Sequence, residues 1–100
     1  VIRRYRLTET AQRHIDEIAA FIAADSMDAA LKVLDALEAA FDQIAEMPEI
    51  GHTREDLTLR PLKFWRVYSF LVVYEPTSDP LTVVAVLHGA RDVQQILESI

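Results

Sequence analysis

Apolar residues recur at Ala11, Ile15, Ile18 and Ile22. The spacing i, i+4, i+7, i+11 puts all four on one stripe of an amphipathic helix. Arg13, Asp16 and Glu17 fall off the stripe, and Phe21 borders and widens it. Thr8 precedes the stripe and suits an N-cap, because its side-chain oxygen can accept an amide of the first turn; Glu9 suits the positive helix end. A second stripe follows at Ala30, Leu34, Leu37, Phe41 and Ile44. Asp25-Ser26 interrupts the first pattern, and Ser26 is placed to cap the second helix, with Asp28 in its first turn. Pro48 ends it, since the residue before a proline is pushed out of the helical region. So few residues join the two stripes that the helices must fold back as an αα-hairpin.

The remaining segments change period. Residues 2 to 7 alternate as a short strand. Residues 48 to 61 hold Pro48, Gly51 and Pro61 among polar residues and read as a surface loop. Leu62 to Tyr68 and Phe70 to Glu75 read as strands, the second rich in β-branched and aromatic residues. Pro76-Thr77-Ser78-Asp79-Pro80 is a turn, and Leu81 to His88 is a further strand closing at Gly89. Arg91 to Ile100 reads as a short helix with Val93, Ile96, Leu97 and Ile100 on one side. The predicted order is β-α-α-β-β-β-α: an α+β fold with a helical hairpin packed on an antiparallel sheet. The first strand joins that sheet, and the apolar faces meet in one layer-on-layer core. Residues 1–100 suit a single domain.

Composition and charge narrow the chemistry. There are no cysteines, so disulfides, thiolate zinc ligands and thiol nucleophiles are excluded. No apolar run is long enough for a bilayer, and no apolar region follows Arg3 and Arg4 as in a signal peptide. A cytoplasmic, reducing location is the expectation. The formal charge is −6, which opposes generic DNA binding by phosphate neutralisation. The charge is uneven: from Glu9 to Glu49 there are ten acids against Arg13 and Lys32. Arg54, Arg60, Lys63, Arg66 and Arg91 lie in the strand half.

His14, His52 and His88 lack the spacing of metal ligands, so no metal or cofactor is expected. His14 and His52 read as exposed surface, whereas His88 ends a strand beside Gly89. The two glycines make no phosphate loop. Lys63-Phe64-Trp65-Arg66-Val67-Tyr68 interleaves bases with aromatics. Three readings stand: a strand with one wet face, a protein-protein hot spot, and a single-strand nucleic-acid platform.

Several segments together resemble the ParE-type toxins of the RelE/ParE superfamily. They are Tyr5-Arg6-Leu7-Thr8, the Ile15-Asp16-Glu17-Ile18 helix, Ala29-Ala30-Leu31, and the helix end from Phe41 to Pro48. Glu49-Ile50-Gly51, Arg54-Glu55-Asp56-Leu57, Phe70 to Tyr74, and Val86-Leu87-His88-Gly89-Ala90-Arg91-Asp92 continue the series. The resemblance implies a plasmid-stabilization type of toxin-antitoxin module. Its toxin inhibits DNA gyrase without catalysis, and a ParD-like antitoxin wraps it with a tail that folds on binding. Phe21, Trp65 and Tyr68 are the candidate antitoxin anchors. His88, Arg91 and Asp92 are the candidate target contacts, with Asp92 equally suited to cap the last helix. The alternative in the superfamily is a messenger-RNA endoribonuclease, for which Arg66, His88 and Arg91 would carry the chemistry. A non-toxic binding module is the third reading. The acidic charge departs from the basic character of many of these toxins.

Overall fold

The computed structural model describes residues 4–89 and 93–100. Strand β1 (Tyr5–Leu7) leads into helix α1 (Glu9–Ala23) and helix α2 (Met27–Glu46). Strands β2 (Lys63–Val67), β3 (Phe70–Glu75) and β4 (Leu81–His88) follow, and helix α3 (Val93–Glu98) closes the chain. Both expected caps form. The Thr8 hydroxyl accepts from the Ala11 amide and the Ser26 hydroxyl from the Ala29 amide, each at 3.1 Å.

The sheet order is β1-β4-β3-β2. The last three strands form the expected antiparallel meander. β1 adds parallel to β4, because the hairpin carries the chain across one face before the meander begins. Tyr5 lies against Phe41, ring centroids 5.3 Å apart, which ties β1 to α2.

One expectation is corrected. The sheet carries two cores, one on each face, instead of one. On one face Ile15, Leu37, Phe41 and Ile44 of the hairpin meet Val72, Tyr74, Val83 and Val86. On the other, Val93 and Leu97 of α3 meet Phe64, Leu71, Val73 and Leu87, with Leu62 from the preceding loop. The near-continuous apolar runs in β3 and β4 are the physical reason, since strands buried on both faces do not alternate. In β4 every residue from Leu81 to Leu87 is buried.

A register shift adjusts β4 to both layers. Tyr74 pairs with Val83 and Val73 with Ala85, so Val84 is the extra residue of a bulge. β1 pairs with β4 only from Leu81 to Val83. Past its end, the Thr8 hydroxyl donates to the Val84 carbonyl and His14 Nδ1 accepts from the Val86 amide, both at 3.3 Å. His14 is therefore half-buried and structural, not the exposed residue its position suggested. A side chain of α1 does for β4 what a longer β1 would have done.

Tyr74 closes the other end of the hairpin. Its buried hydroxyl donates to the Pro48 carbonyl at 2.8 Å and accepts from the Gly51 amide at 2.9 Å. Gly51 lies so close to this phenol that a Cβ there would collide with it. Burial pushes the phenol above the ordinary tyrosine range, partly offset by the Gly51 amide. The folded state thus favours the neutral phenol. This contribution is complete below pH ~10 and is lost as pH rises through and past the raised value. Tyr74→Phe is expected to lower unfolding free energy by about 1–3 kcal/mol at neutral pH. It should also flatten the loss of stability on the alkaline side. Urea unfolding at pH 7 and at pH 10.5 or above tests both statements.

Candidate functional site

The β2–β3 connection is a two-residue turn, Tyr68-Ser69. Tyr68 has φ +54°, the left-handed region that a bulky L residue enters only at a cost. Its side chain is 63% exposed. The end of β4 docks on this turn, with the Gly89 amide donating to the Ser69 carbonyl at 3.0 Å. The His88 imidazole is exposed and tilts over Phe70, ring centroids 5.4 Å apart. Tyr68 and His88 therefore share one end of the sheet.

Strand register assigns the faces. Val67, Phe70 and His88 are directly paired across β2, β3 and β4, and so share the hairpin face. Trp65 faces the same way, half-buried against the hairpin core and stacked on His52 with centroids 6.4 Å apart. Arg66 pairs with Leu71, and Leu71 with Leu87, which puts Arg66 on the α3 face. Arg66 and His88 thus lie on opposite faces and do not converge on one point. Arg91 and Asp92 lie outside the described residues.

Other cations of the strand half have structural partners. Arg60 donates to the Ile100 and Leu97 carbonyls at 2.8 and 3.4 Å, which fastens the end of α3. Lys63 Nζ reaches the Gly51 carbonyl at 3.4 Å. Arg54 grips Asp56 with two hydrogen bonds, at 2.8 and 3.0 Å. That hydrogen-bonded pairing raises the guanidinium and lowers the carboxyl of Asp56 from their usual ranges. Among the described residues no group of three or more His, Asp or Glu could hold a metal ion.

Phe21 is elsewhere, 72% exposed near the end of α1. The hairpin's direction follows from its ties. α1 passes from Thr8 beside Val84 to His14 beside Val86, and α2 ends at Pro48 on Tyr74. Its closed end therefore points toward the end of β4 that carries His88. Met27 and Leu31, in the first turns of α2, are also exposed, at 62% and 51%. The sequence reading missed both as surface candidates. Ala30 and Leu34 stand at i+3 and i+7 from Met27, so spacing alone places Met27 on the buried stripe; Leu31 borders that stripe, where a solvated helix face should be polar.

A comparison with protein families finds the ParE toxin of the type II toxin-antitoxin system parDE across residues 5–93. The chain belongs to the ParE toxin family. A protein of Sinorhizobium fredii (strain NBRC 101917 / NGR234) named Putative toxin Y4kP is 30% identical over 95 residues. That match spans 95% of this chain and 97% of the relative. The matched region of this ParE toxin includes both helices of the hairpin, the whole sheet and the Tyr68 turn. No helix among the described residues is long and apolar enough to cross a membrane.

The turn offers a direct check. Asn tolerates the left-handed region far better than Tyr. Tyr68→Asn is expected to raise unfolding free energy by up to ~1 kcal/mol, seen as a higher midpoint in thermal unfolding. The same substitution should weaken binding of any partner that uses the ring.

Proposed function

We propose that this ParE toxin acts by binding, inhibiting DNA gyrase without cutting a covalent bond, and that a ParD-like antitoxin holds it inactive. The observation that carries the non-catalytic reading is the separation of Arg66 and His88 onto opposite faces of the sheet. Ribonucleolytic cleavage by the RNA's own 2′-hydroxyl needs a base, an acid and cations around one phosphate. Arg54, Arg60 and Lys63 are already tied to Asp56, the α3 end and Gly51. The net charge of −6 further opposes capture of an RNA chain.

Binding is the chemistry that the surface does favour. Phe21, Tyr68 and the half-buried Trp65 are aromatic anchors of the kind that dominate protein interfaces. Trp65 and His88 share the hairpin face, and Tyr68 stands at its end. In this reading Phe21, Trp65 and Tyr68 meet the antitoxin, while His88, Arg91 and Asp92 contact the target. The cytoplasm is where both partners would be met.

Induced expression without antitoxin tests the proposal. Growth arrest with a DNA damage response and intact messenger RNA is the expected outcome, together with inhibition of gyrase supercoiling by the purified protein. Arg66→Ala should leave the arrest unchanged. Rapid messenger-RNA loss, abolished by Arg66→Ala through a fall of about 100-fold or more in cleavage rate, would replace this reading with the endoribonuclease. A folded protein that causes no arrest would leave a non-toxic binding module.

A further inference from the structure

A cleft of about 560 Å³ opens at the end of the sheet away from Tyr68 and His88. That volume suits a small molecule. Three separate stretches of chain wall it. Arg4 comes from the residue before β1, Ala45 and Pro48 from the end of α2, and Ser78 to Leu81 from the turn into β4.

Each wall is held from behind by a hydrogen bond. The Ser78 hydroxyl donates to the Glu75 carbonyl at 3.1 Å and accepts from the Thr82 amide at 2.9 Å, which fixes the turn. The Leu81 amide donates to the Arg4 carbonyl at 3.0 Å. The Tyr74 hydroxyl holds the Pro48 carbonyl. A cleft pinned at all three walls gives up little freedom when a ligand enters.

The chemistry of the walls selects the ligand. Ala45, Pro48, Pro80 and Leu81 are apolar, and Arg4 and Asp79 supply one charge of each sign. Among the described residues neither charged group has a hydrogen-bond or ion-pair partner, and the two do not pair with each other. The guanidinium suits a carboxylate, which it can grip with two parallel N–H donors. The Asp79 carboxylate suits an ammonium group. The last turn of α2, which supplies Ala45, contains no base, so its negative end also favours a cation. An anion alone would meet Asp79, and a cation alone would meet Arg4. A molecule that carries both charges on an apolar body satisfies both.

We propose that this cleft binds a small zwitterion with an apolar side chain, a free α-amino acid or a dipeptide. Its carboxylate meets Arg4, its ammonium meets Asp79, and its side chain packs on Pro48, Pro80 and Leu81. Both charged residues are exposed, which keeps the affinity modest. The site stands apart from the Tyr68 and His88 surface and holds whether or not the toxin reading does.

Amide chemical shifts in heteronuclear NMR of the full-length protein test it, with L-leucine and the dipeptide Leu-Leu as probes. At least one should shift the amides of Arg4, Ala45, Asp79 and Leu81, saturating with a Kd on the order of 1 mM or tighter. The tighter of the two tells a free amino acid from a dipeptide. The N-acetylated and C-amidated forms of that probe should each bind at least ~10-fold more weakly. Asp79→Asn should erase the loss caused by acetylation, and Arg4→Gln the loss caused by amidation. A dispersed spectrum confirms that these exposed substitutions leave the fold intact. No shift at these amides with either probe, blocked forms that bind as well as the free one, or blocking losses that persist in the matching variants would each overturn the proposal.

Discussion

β4 is the strand on which both layers of the molecule depend. It is buried on two faces, and its backbone must pair on two edges. β3 pairs with one edge from Thr82 to His88, interrupted at the Val84 bulge, but β1 satisfies the other only as far as Val83. From there the edge is closed by side chains of the segment that starts the hairpin, Thr8 and His14. A hydrogen bond of this kind contributes only about 1 kcal/mol net, yet leaving a buried amide without a partner costs more. The helix is therefore held over the strand by polar accounting as well as by apolar burial. The same ties set the direction of the hairpin and bring its closed end toward the His88 end of the sheet.

The elements were legible in the sequence because each announced itself locally. The two helical stripes, the Thr8 and Ser26 caps and the stop at Pro48 all depend on neighbours within a turn or two. The strands were legible from their β-branched content and their turns. What was hidden depends on partners far along the chain. His14 read as surface because nothing near it in sequence shows that a sheet edge runs out beside it. The second core was hidden because runs such as Val83 to Leu87 do not say which layers cover them. The bulge at Val84 was hidden for the same reason, since alternation cannot reveal where it is broken.

The candidate site was legible as a set of residues but not as a geometry. Trp65, Tyr68 and His88 do gather along one face and one end, whereas Phe21 belongs to the hairpin tip. The turn at Tyr68 shows why composition alone is an incomplete guide. A tight hairpin usually spends glycine or asparagine where φ is positive. Here a large aromatic takes that place, at a conformational cost, and remains exposed. Packing does not account for it, because the ring is mostly in water. Strain at an exposed position supports the contact role proposed for Tyr68.

The register of β2 bears on both of the chemistries that the superfamily offers. Moving Arg66 to the His88 face would take a one-residue slip, and a slip inverts every side chain of the strand. Phe64 would leave the α3 core, where it is buried, and Trp65 and Val67 would leave the hairpin core. Losing a well-buried Phe contact alone costs about 3 kcal/mol or more, a large part of the stability of so small a domain. No slip of that kind is compatible with both cores. The arrangement that lets a short, cysteine-free chain cover a sheet on both sides thus also keeps its strand cation away from its strand-end imidazole. Among the described residues, Arg66 and the His88 imidazole therefore do not face one phosphate, and this separation is what supports the proposed binding role.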